Sequence, residues 1–463
     1  MLPQAQSFHF LGICGTAMGS VAAMLKDLGY NVSGSDENIY PPMSTFLEQK
    51  GIKIMAGYRP ENLPKDETIL VVGNAISRGN PELESALDQK KFYLSLPEVL
   101  KFYFLRQSHN IVVSGTHGKT TTTSLLAWIF EAAGEKPSYM IGGIPLNFDQ
   151  GCKKQEGKYW IIEGDEYDTA YFDKRSKFNH YLPELLIINN VEFDHADIYE
   201  NLEAIQLSFK RVVNIVPRNG MILVNADESN ALTVTTHAQA PVLSVGFSAL
   251  AGARIENLQL LPDCSIFELF GQSFQLPMVG EYNVRNAAMA IAAAHFYQIP
   301  FEKIKSALLS FGGIKRRQEI RGIRKEITLI DDFGHHPTAI RETLKALHVR
   351  YPHQKIWAIF EPRSNTTRRA VFQEDLPEAL GYADGIYVAQ VASLDKLPLD
   401  QRLNPEKVVR DLQKKGKPAF YELSVDHIIE SIVPQLKPRD IVVIFSNGGF
   451  GGIHQKLLEA IGD

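Results

Sequence analysis

The residues whose types and spacing best suit chemistry form the run Gly115-Thr116-His117-Gly118-Lys119-Thr120-Thr121. Glycines let backbone N–H groups approach phosphate oxygens, and a helix starting at this point adds a favourable dipole. Lys119 would neutralise the terminal phosphates of a nucleotide, and the Thr120 hydroxyl would sit on Mg2+. The spacing departs from the usual G-x-x-x-x-G-K-T, because position 113 is Val. A glycine-rich turn with a solvated lysine is the competing reading. The apolar strand pattern before the run and the helical pattern after it favour a phosphate loop, and with it ATP and magnesium.

Two acidic clusters follow apolar runs further along: Glu163-Gly164-Asp165-Glu166, and Glu192-Phe193-Asp194-His195. Ligands of an open parallel sheet gather at the carboxyl ends of its strands, where the phosphate loop also lies. Carboxylate oxygens suit Mg2+, so Glu163 and His195 are candidates to complete a metal–phosphate site with Thr120. Taken singly, each cluster is more often a solvated loop or a helix N-cap, and only their shared position opposite the phosphate loop raises them above that. A second glycine-rich turn, Gly12-Ile13-Cys14-Gly15-Thr16-Ala17-Met18-Gly19, precedes Asp36 by roughly 20 residues. It suggests a nucleotide or its diphosphate. It is not G-x-G-x-x-G, and a plain helix-packing turn competes. Three polar loops close strands near the C-terminal end: DDFGHHP at 331–337, EPRSN at 361–365 and SNGGFGG at 446–452. Together they would wall one side of a ligand cleft. Each alone is a cap or a turn.

The elements that must position these groups alternate between strand and helix. Ser7–Ile13, Asn31–Ser35 and Thr68–Gly73 are strand patterns around a helix at Ala17–Leu28. His109–Ser114 runs into the phosphate loop and the helix Thr120–Ala133, and Trp160–Glu163 and Leu185–Asn189 are further buried strands. Between about Ala253 and Val279 the pattern shortens to hairpins with a turn at Gly271, followed by an alanine-rich helix at Asn283–Tyr297. After Arg316-Arg317 a third alternating region has strands at Thr328–Asp331, Ile356–Phe360, Gly385–Val391 and Ile441–Ser446. The fold class is therefore α/β in three units.

At 463 residues, several cores are needed. Hydrophobic residues at 44% and charged residues at 22% describe a globular chain. A formal charge of −5 argues against nucleic acid as the main partner. Cys14, Cys152 and Cys264 are widely spaced, so neither disulfides nor a zinc site is indicated. No signal peptide or membrane-length apolar run is present, and the expectation is a cytoplasmic protein with no membrane partner.

Six motifs in order, GTHGKTTT, EGDEYD, EFDHAD, GEYNVRNAAMA, KRRQEIRG and DDFGHHPTAI, resemble those of the Mur ligases nearly end to end. That family joins UDP-sugar carboxylates to amino acids or peptides. The resemblance implies a Rossmann-like UDP-sugar domain at 1–106, a P-loop ATP-binding domain with a mixed sheet at 107–313, and a Rossmann-like domain at 314–463 completing the ATP and peptide site. It implies phosphorylation of a muramate carboxylate by ATP, then attack of a peptide amine on the acyl phosphate. In residue terms, Lys119 resembles the γ-phosphate lysine, and Thr120, Glu163 and His195 resemble magnesium ligands. Asn286 resembles an adenine contact, Arg317 or its neighbour Arg316 the γ-phosphate arginine, and Asp332 the ribose contact. His336 would lie beside the substrate gap. Gly12, Gly15, Thr16 and Asp36 would hold the uridine nucleotide, and Arg363 a carboxylate of the incoming peptide. Several relatives carry a carbamylated lysine; here Phe209 stands at that place and Lys210 one position away, so Lys210 is read as a solvated helix residue.

GSDENIYPPMST, FDKRSKFNHY, EFDHADIY, EPRSNT and SNGGFGGIHQKLL resemble members that join L-Ala-γ-D-Glu-meso-diaminopimelate to UDP-N-acetylmuramate in peptidoglycan recycling. The alternative is the member adding L-alanine to the same UDP-sugar. A folylpolyglutamate synthetase-type enzyme, a dehydrogenase and an ATP-regulated binding protein are more distant readings. A monomer or weak dimer is expected.

Overall fold

The computed structural model describes residues 6–391 and 397–462, apart from 42, 66 and 149. The first unit is a five-stranded sheet in the order Lys53–Ala56, Asn31–Asp36, Ser7–Leu11, Ile69–Val72, Tyr93–Ser95. Every pairing in it is parallel. Both faces are covered, so the central strands are continuous apolar runs such as ILVV. The helix Thr16–Asp27 leaves the first strand through the Gly12–Gly15 turn, where Gly12 takes a φ of 86°.

The second unit is an eight-stranded mixed sheet with His109–Ser114 near its middle, between Leu185–Ile188 and Tyr159–Glu163. Only the pairing of Ser138–Met140 with Cys152–Lys153 is antiparallel among its described strands. A three-stranded antiparallel sheet, Glu256–Leu260, Ser265–Leu269 and Gln272–Leu276, realises the expected hairpins, with Gly271 at a φ of 68°. The alanine-rich helix spans Glu281–Phe296. Its small side chains let it pack closely on the helix Lys119–Ala132 that follows the phosphate loop.

The third unit is a six-stranded sheet in the order Glu319–Arg324, Ile327–Asp332, Ile441–Phe445, Ile356–Phe360, Gly385–Ala389, Ala419–Glu422. Its first strand is an antiparallel edge, half exposed and charged, which hides it from a search for apolar runs. Lys53–Ala56, Tyr93–Ser95 and Ala419–Glu422 escape the same search because they are short edge strands with incompletely buried faces.

One apolar cluster runs from the first sheet into one face of the second, joining Phe8, Leu100 and Phe104 to Trp160 and Phe178. The Phe104 and Trp160 rings lie 5.9 Å apart. The two clusters of the third sheet draw only on its own residues. The first two units therefore share a core, whereas the third meets them through polar loops and through its helix Pro337–Arg350, whose Ala346 packs on Gly280 at the start of the alanine-rich helix.

Gly385 faces Trp357 across two parallel strands, and a Cβ there would lie 2.3 Å from the indole ring. Gly385→Ala should cost about 1–3 kcal/mol by overpacking and lower the urea midpoint of the third unit. An unchanged midpoint would show that this sheet yields where its packing predicts rigidity.

Candidate active site

Strand register builds the site. Val113 is level with Glu163 on one neighbour, and Ser114 with Ile188 on the other, so three carboxyl-terminal loops emerge side by side. In the phosphate loop, Gly115 and Gly118 take φ values of 136° and 79°, which favour glycine. A Cβ on Gly118 would come within 2.5 Å of Asn286 Oδ1. No side chain caps the helix Lys119–Ala132, and no acid lies in its first turn, so its leading N–H groups suit an anion. Thr116 Oγ1 donates to the Glu192 carbonyl (3.1 Å), and His117 Nε2 bonds Glu192 Oε1 (2.8 Å).

Lys119 Nζ donates to the Gly115 carbonyl (2.6 Å) and to both oxygens of Glu166 (2.9 and 2.8 Å). Burial opposes its charge, but Glu166, with Asp165 and Glu163, raises its pKa above the ordinary lysine value. Glu166 Oε1 also bonds His195 Nε2 at 2.9 Å. Burial pulls His195 down, yet Glu166 and Asp194 outweigh it and raise the imidazole to about 9.

Thr120 Oγ1 donates to Glu163 Oε1 (3.1 Å), and Glu163 Oε2 accepts from the Gly142 amide (2.8 Å). Burial pushes the Glu163 carboxyl up, against the pull of Lys119. A divalent cation would relieve that penalty. Among the described residues, no group of three or more His, Cys, Asp or Glu side chains forms a ready metal cage. The Thr120–Glu163 oxygen pair nevertheless fits magnesium, which takes few protein ligands and completes its shell with water and phosphate oxygens. His195 Nε2 is engaged by Glu166, so its use on a metal would require that bond to give way.

The two adjacent arginines separate. Arg316 Nη2 donates to the carbonyls of Ser446 (2.6 Å) and Gly448 (2.8 Å), and its Nε lies 3.3 Å from Asp331. Arg317 Nη2 reaches Thr120 Oγ1 at 3.5 Å. Thr121, Asn286, Arg317 and Asp332 line one small cavity beside Gly118. Asp332 accepts from the amides of Gln318 (2.9 Å) and Gly334 (2.8 Å), and burial raises its pKa. A larger cleft of about 540 Å³ gathers Lys119, Thr120, Glu163, His195, Arg317 and His336. His336 caps the helix Pro337–Arg350, and burial depresses its pKa against Glu192.

The N-terminal turn borders two cavities. One, of about 660 Å³, is lined by Gly12, Gly15, Asp36, Tyr58 and Arg78; the other, of about 470 Å³, reaches from Gly12 and Thr16 to Lys119, Glu163 and Lys177. Asp36 accepts from the amides of Cys14 (2.8 Å) and Asn38 (2.9 Å), tying the turn to the second strand. Arg363 is not among the residues lining these cavities. It is half exposed and lies 3.6 Å from Glu361. Phe209 is buried on Phe178, and Lys210 sits beside it on the helix Leu202–Val213.

Sequence reasoning left Glu166 and Lys177 without roles. Lys177 Nζ lies 2.6 Å from Asp165 Oδ2, and both line the cavity that reaches Lys119. Glu166 stood inside the quoted acidic cluster; only its two cationic contacts single it out.

Loops of the second and third units and Thr16 of the first meet at these clefts, and the chain belongs to the Mur ligase family of amide-forming ligases. The Mur ligase family catalytic domain matches residues 7–106, the Mur ligase middle domain 113–294, and the glutamate ligase domain 316–448. Within the family, the chain is 42% identical to the UDP-N-acetylmuramate–L-alanyl-γ-D-glutamyl-meso-2,6-diaminoheptandioate ligase of Haemophilus influenzae, over 98% of both chains. It is 30% identical to the UDP-N-acetylmuramate–L-alanine ligase of Desulforapulum autotrophicum, again over 98% of both. A crystal structure of a murein peptide ligase from Psychrobacter arcticus covers 99% of each chain, with 37% identity and a TM-score of 0.72. Among the described residues, no helix is long and apolar enough to cross a membrane.

Burial pushes the Glu192 carboxyl up, but His117, His336 and Thr338 outweigh it and lower it from 4.5 to about 2. A depressed carboxyl stabilises the fold above its unfolded pKa and loses that contribution as pH falls toward its folded pKa. Glu192→Gln should therefore lose less of its urea midpoint between about pH 5 and about pH 3 than the parent protein does. Parallel losses in the two proteins would refute the assignment.

Proposed function

We propose that this protein is an ATP- and magnesium-dependent ligase joining L-Ala-γ-D-Glu-meso-diaminopimelate to the carboxylate of UDP-N-acetylmuramate. The carrying observation is the single cleft in which Lys119, Thr120, Glu163 and Arg317 meet, linked through Thr16 to the N-terminal turn. The higher identity to relatives named for the tripeptide reaction than to the L-alanine ligase supports that substrate.

When bound, ATP supplies the phosphoryl group that converts a carboxylate into an acyl donor, and magnesium neutralises phosphate charge. The chain's own part is positioning and electrostatics. Gly115, Thr116, His117, Gly118 and Thr121 cradle the phosphates, and Lys119 and Arg317 offset charge that builds on them. Thr120 and Glu163 would hold the metal, and His195 would join them once its bond to Glu166 gives way. Asn286 and Asp332 take the adenine and ribose ends. Gly12, Gly15, Thr16 and Asp36 seat the uridine diphosphate, so the muramate carboxylate reaches Lys119 along the cavity that both ends line. His336 borders the gap where the amine enters, and Arg363 pairs with a peptide carboxylate. The division of labour follows 1–106 for the UDP-sugar, 107–313 for ATP and 314–463 for the peptide. We place the enzyme in the cytoplasm, as a monomer or weak dimer.

Phosphate release from ATP with UDP-N-acetylmuramate should be strong with the tripeptide and weak with L-alanine. Lys119→Ala should reduce it by about 100- to 1,000-fold without unfolding the protein. Preference for L-alanine would make this the alanine-adding enzyme instead. Near-normal turnover of the lysine variant would remove the phosphate-loop assignment.

Arg363→Ala should raise KM for the tripeptide by about tenfold or more, the worth of a charge-assisted hydrogen bond, with little change in kcat. An unchanged KM would exclude Arg363 from peptide binding.

A further inference from the structure

Glu166 is 2% exposed, and its carboxylate joins two cations of the cleft. Oε1 is shared by Lys119 Nζ (2.9 Å) and His195 Nε2 (2.9 Å), and Oε2 bonds Lys119 Nζ at 2.8 Å. The Tyr199 hydroxyl, bonded to the Glu166 carbonyl at 2.6 Å, anchors the backbone at that point. An ammonium has three donors. Gly115 O and the two Glu166 oxygens engage all three, with Thr116 O a more distant fourth acceptor at 3.3 Å. A phosphate oxygen can bond Lys119 only by taking the place of one of these acceptors. Gly115 O is fixed by the loop backbone and Oε1 is shared with His195, which leaves Oε2 as the exchangeable partner.

We infer that Glu166 is a positioning residue for nucleotide use: its carboxylate competes with phosphate for Lys119 while orienting Lys119 and His195 for turnover. This rests on reading the cleft as a nucleotide site. A buried carboxylate beside an anion-binding lysine must weaken ground-state binding, because like charges repel strongly where solvent is scarce. The same carboxylate holds the lysine extended along the loop. Glu166 thus acts in opposite directions on affinity and rate, whereas a purely structural residue would support both.

The test is ADP binding by calorimetry in EDTA, so that metal plays no part, alongside steady-state kinetics with magnesium. Glu166→Gln should bind ADP about tenfold more tightly than the parent protein and show a kcat lower by about tenfold or more. Glu166→Asp, whose shorter side chain draws the charge back from Lys119, should fall between the two in ADP affinity. It also carries the test if the Gln variant does not fold. Unchanged or weaker ADP binding in both variants, with the parent binding normally, would overturn the inference and leave the nucleotide site standing. Failure of the parent to bind ADP with or without magnesium would overturn the nucleotide site itself, and this inference with it.

Discussion

The register of three parallel strands bears the chemistry. Because Val113 is level with Glu163 and Ser114 with Ile188, the phosphate loop, the acidic cluster and the Asn189–His195 loop leave the sheet together. A shift of one residue in a strand would send its side chains to the opposite face and part Thr120 from Glu163. Burial on both faces prevents such a slip, since every residue of Ile111–Val113, Tyr159–Ile162 and Leu185–Ile188 is buried. The apolar strands thus act on function at one remove: they hold polar groups that would otherwise repel one another.

The units are joined by two kinds of contact. Between the first and second, a shared apolar cluster makes the units carrying the Gly12–Gly15 turn and the Gly115–Thr121 loop one continuous body. The third unit is held by directed polar bonds: Thr366 Oγ1 to Asp194 (2.5 Å), Thr338 Oγ1 to Glu192 (2.7 Å) and Asn365 Nδ2 to Asp197 (2.7 Å). Tyr167 joins Asn365 on the same Asp197 carboxylate. Polar interfaces of this type permit relative domain movement more readily than apolar ones. The acids that hold the third unit flank His195 in sequence. Docking of the third unit and placement of His195 therefore draw on one loop.

The fold was legible in the sequence wherever burial was complete. His109–Ser114 and Ile356–Phe360 stand where their apolar runs place them, while short or half-exposed edge strands such as Tyr93–Ser95 leave no such run. Among the site residues, the Gly115–Thr121 loop was plain because glycine, lysine and threonine spacing reflects one demand, close approach to phosphate. Glu166 was not plain. Four residues, Glu163 to Glu166, offer three carboxyls, and only tertiary geometry shows that one meets Thr120 while another meets Lys119. Pattern reads a backbone requirement well and a division of labour among like side chains poorly.

Arg316 and Arg317 show how such a division is made. Arg316 and Gln318 both take left-handed backbone angles, with φ of 61° and 50°. For non-glycine residues this costs roughly 1–2 kcal/mol each. The connector between the second and third units offsets that cost with bonds to the third. The Arg316 guanidinium holds the Ser446 and Gly448 carbonyls, the Gln318 amide holds Asp332, and the Phe333 amide holds the Arg316 carbonyl at 2.8 Å. The resulting turn directs one arginine into the third unit as a fastener and the other toward Thr120. Among the described residues Arg317 forms no ion pair; burial raises the Glu163 and Asp332 carboxyls, and the Arg317 charge pulls against that rise at both. The strained connector thus leaves a positive charge between the Glu163 and Asp332 carboxylates, stacked 5.1 Å from the Phe333 ring centroid.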